Sequence, residues 1–123
     1  MSHRILITGS RRWTDVNRVR RMLAVVRALY PTAVLVHGNC RGADRIAAGI
    51  WRSWGLPTEA HPADWDRHKR AAGPIRNRHM VRLGAVLCVA FLRPDSRGSV
   101  HCAQLAERAG IRTIRIHQGG SAS

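Results

Sequence analysis

Short apolar runs alternate with segments of helical spacing along the whole chain, and this rhythm constrains the fold more than any other feature of the sequence. The stretch His3-Arg4-Ile5-Leu6-Ile7-Thr8 reads as a buried strand stopped by Gly9, and Ala33 to His37 reads as a second, closed by Gly38. Ala85 to Phe91 is the most apolar run and reads as a central strand; Pro57 to His61 gives a brief strand and Ile111 to Ile116 a last one. Between them, Val16, Val19, Leu23, Val26 and Tyr30 form an apolar stripe behind a cap at Thr14 or Asp15. A second helix follows Gly42-Ala43-Asp44, a third runs from Ile75 to Leu83 behind Pro74, and a fourth from Ser99 to about Ala109. The segment from Pro62 to Gly73 reads as basic and irregular. Strands that alternate with helices need crossover connections, and near-continuous apolar strands are buried on both faces. The expectation is therefore an α/β, Rossmann-like three-layer sandwich on a mainly parallel sheet.

At 123 residues, 45% of them apolar, the chain has material for one core, so a single domain is expected over residues 1–117, with 118–123 as a disordered tail. No apolar run approaches the roughly 20 residues that span a bilayer, and the first apolar segment is too short for a signal peptide, which points to a cytoplasmic protein without a membrane partner. Cys40, Cys88 and Cys102 are odd in number and contain no C-x-x-C pair, so reduced thiols are expected. The histidines have no metal-ligand spacing with an obvious third ligand; neither a metal nor another cofactor is expected. Twenty arginines and one lysine against seven acids give a net charge of +14. That field favours an anionic partner, whether a phosphorylated small molecule, nucleic acid or an acidic protein. A homo-oligomer is left open.

In open parallel sheets, ligands bind beyond the carboxyl ends of the strands. Three glycine-containing loops occupy such positions: Gly9-Ser10-Arg11, Gly38 to Asp44 and Ser96-Arg97-Gly98-Ser99. Glycine there lets backbone amides approach an anion, and the following helix adds its partial positive charge. None of the three matches G-x-G-x-x-G or the Walker pattern, which disfavours an ordinary dinucleotide dehydrogenase or a P-loop ATPase.

Taken with His37-Gly38, Arg41 to Arg45, His61 to Trp65 and the block Ala71-Ala72-Gly73-Pro74-Ile75-Arg76-Asn77-Arg78-His79-Met80, these loops resemble the YspA/cpYpsA-related branch of the SLOG superfamily over about residues 4 to 116. The superfamily also contains the Lonely Guy phosphoribohydrolases and the DNA-processing protein DprA. The resemblance implies a Rossmann-like fold that binds nucleotides or nucleotide-derived molecules, for sensing in this branch. Arg76 and Met80 look like the R-x-x-x-M helix of the Lonely Guy enzymes, and Gly98-Ser99 look like the start of their G-T-x-x-E turn. The glutamate of that turn, which supports cleavage of the N-glycosidic bond, falls on Cys102.

The expected ligand-binding residues are accordingly Gly9, Ser10, Arg11, Gly38, Gly42, Asp44, Arg76, Asn77, Gly98 and Ser99. Arg76 is read as a bidentate phosphate clamp. Asp44 is open between ribose binding and a helix-dipole role. Trp65 is expected to be a buried anchor of its loop rather than a stacking ring, and Cys102 a small core residue. If the chain is an enzyme, the reaction is N-glycosidic hydrolysis of a nucleoside 5′-monophosphate with Asp44, Asp64 and Arg76 as its catalytic residues. The leading expectation is binding of a nucleotide or an ADP-ribose-like compound, with DprA-like nucleic-acid binding as a further alternative.

Overall fold

The computed structural model describes residues 3–119. Five strands, β1 (Arg4–Gly9), β2 (Val34–His37), β3 (Thr58–Ala60), β4 (Leu87–Leu92) and β5 (Thr113–His117), form one parallel sheet in the order β3-β2-β1-β4-β5. The helices are α1 (Val16–Leu29), α2 (Ala43–Ser53), α3 (Trp65–His68), α4 (Ala72–Leu83) and α5 (Arg97–Arg108). The expected α/β, Rossmann-like architecture is what the chain adopts.

Strand alternation divides the core in two. Ile5, Ile7, Leu35, Leu87, Val89 and Phe91 point to the face covered by α1 and α2, where they meet Val19, Leu23, Val26, Ala47 and Trp51. Leu6, Val36 and Cys88 point to the other face, against Met80 of α4 and Cys102 and Ala106 of α5. Burial on both faces is why β1 and β4 are apolar at nearly every position, as a central parallel strand requires. The edge strand β3 is polar instead. Its Glu59 accepts two hydrogen bonds from the Arg4 guanidinium, at 3.1 and 2.6 Å, and Arg4 holds that carboxyl down at about 2.

Asp15 caps α1 by accepting from the Arg18 amide at 3.0 Å, so it is the cap of the two candidates. Trp13 is buried edge-on against Phe91, with its indole N–H donating to the Asp15 carbonyl. On the outer face of the same layer Arg27 stacks on Trp54, its guanidinium carbon 4.1 Å from the ring centroid.

Three local readings need correction. The segment between β3 and α4 is largely helical rather than irregular: Asp64 caps α3 by accepting from the Arg67 amide at 3.1 Å, and a 3₁₀ turn, Lys69–Ala71, carries the chain into α4. Pro74 therefore lies inside the first turn of α4, which begins at Ala72; its missing N–H falls among the amides that have no helical partner anyway. Gln118, expected to open the tail, is tied to the body of the protein: its amide donates to the Leu92 carbonyl and its side chain bonds to Thr14. Residues 120–123 of that expected tail lie outside the described residues.

Candidate functional site

Strand order reverses between β1 and β4, because β2 and β3 are laid down on one side of β1 and β4 and β5 on the other. The loops leaving β1 and β4 part there and open a crevice at the carboxyl edge of the sheet. A cavity of about 500 Å³ lies at this point, within the range of small-molecule sites. Gly9, Ser10 and Arg11 line it from the end of β1 and its loop, Cys40 from the β2–α2 connection, Asp44 from the first turn of α2, Arg76 and Asn77 from α4, and Ser96 to Ser99 from the start of α5. The three glycine loops thus share one edge, as expected.

The loops are held by each other's backbones. Ser10 donates its amide to the Phe91 carbonyl at 2.8 Å, and its carbonyl accepts from Ala43 at 3.1 Å, so the first turn of α2 is pinned to the β1 loop. Gly42 makes this contact possible: its φ of +80° suits glycine, and a Cβ there would overlap the Ser10 carbonyl. The Ser10 hydroxyl oxygen accepts from the Arg12 amide at 3.0 Å within its own turn.

At the start of α5 the Arg97 amide donates to Asp95 and the Val100 amide to Ser96, while the amides of Gly98 and Ser99 have no protein acceptor among the described residues. No acidic residue occupies this first turn, and Ser96 makes no side-chain cap. Two N–H groups and the helix dipole therefore face a cavity that Arg11, Arg12 and Arg97 also line. A Cβ at Gly98 would meet nothing within 4 Å, so space lies open over the turn.

Asp44, 4% exposed, stands in the first turn of α2, which follows β2, whereas α5 follows β4 on the other side of β1 in the sheet. Its Oδ2 accepts from the Gly38 amide at 2.9 Å and more weakly from the Cys40 amide at 3.5 Å; its Oδ1 is buried without a partner. Burial pushes the carboxyl up from 3.8 to about 6, against the pull of those amides, Arg76 and Arg11. Beside it, Arg76 is a brace as much as a ligand group. Its Nη1 donates to the Gly38 carbonyl at 2.8 Å and to the His61 carbonyl at 3.3 Å, and its Nε donates to Asn77 Oδ1 at 2.9 Å. Only Nη2, 3.8 Å from Cys40 Sγ, keeps hydrogens to offer, so the bidentate clamp read from the sequence has no free edge. Asn77 in turn donates to the Gly98 carbonyl at 3.2 Å, linking Arg76 to the α5 turn. Gly38 lies under the Arg76 guanidinium, which leaves no room for a side chain.

Several expected site residues fall elsewhere. Gly38 and Gly42 shape the loop without lining the cavity. Asp64 caps α3 and lines a separate cavity of about 250 Å³ with His61, His68 and His79, so it does not join Asp44. Trp65 is the clearest miss: it is 47% exposed at the rim of the main cavity, with the Arg11 guanidinium 5.6 Å from its ring centroid, rather than a buried anchor. Cys102 is fully buried beside Thr8, and burial pushes its thiol up to about 11, which leaves it neutral. His101, unremarked as a binding residue in the sequence, lines the cavity next to Asn77. Among the described residues no cluster of His, Cys, Asp and Glu is arranged to hold a metal, and no helix is long and apolar enough to cross a membrane.

The model of the YspA, cpYpsA-related SLOG family matches residues 3–68. Gene 61 protein of Mycobacterium phage D29 is 45% identical over 122 residues, covering 92% of this chain and 95% of that protein. Among solved structures, DNA processing protein A (DprA) of Streptococcus pneumoniae superposes with a TM-score of 0.78 at 18% identity, over 99% of this chain but only 52% of its own length. The structure of DprA from Helicobacter pylori, reported for its single-stranded DNA binding mode, gives 0.66 at 18% identity over 98% of this chain and 68% of that one. The chain thus spans about half of the first DprA structure, and at these identities the likeness is one of fold.

Proposed function

Since the chain belongs to the YspA, cpYpsA-related SLOG family, we propose that its carboxyl-edge cavity binds a nucleotide or a nucleotide-derived ligand, such as an ADP-ribose-like compound, as a sensing site. The observation that carries this reading is the unpartnered pair of amides at Gly98 and Ser99, facing a cavity rimmed by arginines. Backbone N–H groups at a helix N-terminus suit a phosphate group, and the volume suits a mononucleotide. Binding of this kind needs no reacting residue. The buried, neutral Cys102 supplies no charge where the hydrolase relatives have their glutamate.

Two other readings each have one observation in their favour. Asp44 lines the cavity with a free carboxylate oxygen and a pKa near 6, features of a group that stabilises positive charge during N-glycosidic cleavage. The net charge of +14, with a DprA of the same fold described as binding single-stranded DNA, favours nucleic acid. Calorimetric titration of the purified protein with AMP, ADP-ribose and a single-stranded oligonucleotide separates them. The proposal expects saturable 1:1 binding of at least one of the small molecules, with weak dependence on salt. A tight oligonucleotide complex that falls steeply with salt, with no small-molecule binding, overturns it.

A further inference from the structure

The cavity has a polarity that narrows its ligand. Asp44 Oδ1 is an acceptor with no donor, in a side chain 4% exposed that lines the cavity. An unsatisfied buried acceptor of this kind is costly, and in native proteins it is normally met by a partner. That partner is not a phosphate: at neutral pH the carboxyl, titrating near 6, is mainly ionised, offers no proton and repels an anion. The phosphate is drawn instead to the Gly98 and Ser99 amides, at the start of α5 in the same cavity. A group that donates a hydrogen bond, on a neutral part of the same ligand, is what Oδ1 fits.

Resting on the proposed nucleotide site, we infer that Asp44 Oδ1 accepts a hydrogen bond from a ribose hydroxyl of the ligand, so that the cavity selects ribonucleotides over their deoxy counterparts. Oδ2 is unavailable for that task because the Gly38 and Cys40 amides occupy it, and those two bonds fix the carboxylate plane and the direction of Oδ1. Arg76, held by the Gly38 and His61 carbonyls, keeps the loop that carries these amides in place. Asp44 and the α5 turn line one cavity of about 500 Å³, which lets a single ligand present its phosphate to the turn and a hydroxyl to Asp44.

The test titrates the unmodified protein with AMP, 2′-deoxy-AMP and 3′-deoxy-AMP at pH 7.5. At least one deoxy analogue is expected to bind roughly ten- to a hundredfold more weakly than AMP, the loss of a hydrogen bond to a charged group. Asp44→Asn presents an amide N–H where Oδ1 stood while its own oxygen still accepts from Gly38 and Cys40. In that variant the hydroxyl can only accept from the amide, a neutral hydrogen bond, so AMP should weaken and the discrimination should shrink to about two- to tenfold. Equal affinity of the unmodified protein for all three compounds overturns the hydroxyl contact and leaves the nucleotide site standing. Failure of all three to bind overturns both.

Discussion

Replacing Asp44 by asparagine exchanges a buried carboxylate for a neutral amide of the same shape, and the consequence for stability is calculable from its environment. Burial raises its pKa from 3.8 to about 6, so the folded chain holds a proton that the unfolded chain releases. Stability contributed by this group is therefore present below about pH 4 and is lost as pH rises through 6. About two pKa units correspond to roughly 3 kcal/mol. His37 acts in the opposite sense. It is 2% exposed, its Nδ1 accepts from the Asn39 amide at 2.9 Å, and desolvation, with Arg52, His61 and Arg76, lowers its pKa from 6.5 to about 4. The unfolded chain then takes up the proton first, and stability rises by roughly 3 kcal/mol as pH goes from 4 to 6.5. The two nearly cancel, so the unmodified protein should show little pH dependence from this pair between pH 4.5 and 6.5. Asp44→Asn should uncover the rising His37 contribution, and His37→Asn the falling Asp44 one. At pH 7.5 Asp44→Asn should be more stable than the parent by up to about 2 kcal/mol, the roughly 3 kcal/mol relief of the carboxylate less the cost of about 1–3 kcal/mol for an amide N–H without a partner. Urea unfolding followed by circular dichroism across this pH range measures both effects. An Asp44→Asn protein that is less stable at pH 7.5, with the parent's pH slope, would refute the reasoning that Asp44 is retained at a cost to the fold.

Trp65→Ala should weaken AMP binding by about five- to a hundredfold, the range for losing a base-stacking ring, if the exposed indole carries the base; titration of both proteins checks it, and unchanged affinity removes the ring from the site. Arg76→Ala should lower both stability, by about 1.5–3 kcal/mol for its charged hydrogen bonds, and AMP affinity, whereas Arg20→Ala and Arg27→Ala should leave AMP affinity unchanged. If all three instead weaken oligonucleotide binding equally and flatten its salt dependence, the arginines serve nucleic acid. Incubation with a panel of nucleoside 5′-monophosphates should release free base slowly or not at all, as chromatography would reveal. Losing one preorganised electrostatic group typically costs on the order of 10²–10³ in rate, and Cys102 offers none. Rapid release that Asp44→Asn abolishes would mean that the carboxylate function has moved to Asp44.

The sheet was legible because its signal is local. Ile5 to Ile7, Val34 to Val36 and Leu87 to Phe91 are apolar on both alternations, which only a doubly covered strand requires, and the loops that follow their strands fall at one edge by topology alone. What the sequence concealed depends on contacts between distant segments. Nothing near Trp65 signals that the α3 turn lifts its ring to a cavity rim, since an isolated tryptophan in a basic segment reads equally well as an anchor. Arg76 carries the family resemblance, but the carbonyls of Gly38 and His61 that take up its donors are 38 and 15 residues away. The short helix α3 was missed because four residues, Trp65–His68, show no periodicity, and only Asp64 as a cap marks its start. Asp44 was visible as an acid among arginines; its orphaned Oδ1 was not, because orphanhood is a property of the packed site.

A nucleotide phosphate seated on the amides of the α5 turn moves their chemical shifts, which makes those shifts the direct readout of the proposed site. With ¹⁵N-labelled protein titrated with AMP, the largest changes are expected at Gly98 and Ser99, with smaller ones at Gly9 to Arg11 and at the Gly38 and Cys40 amides behind Asp44. Saturating shifts confined to the outer arginine face of α1, with Gly98 and Ser99 unmoved, would put the ligand outside the carboxyl-edge cavity.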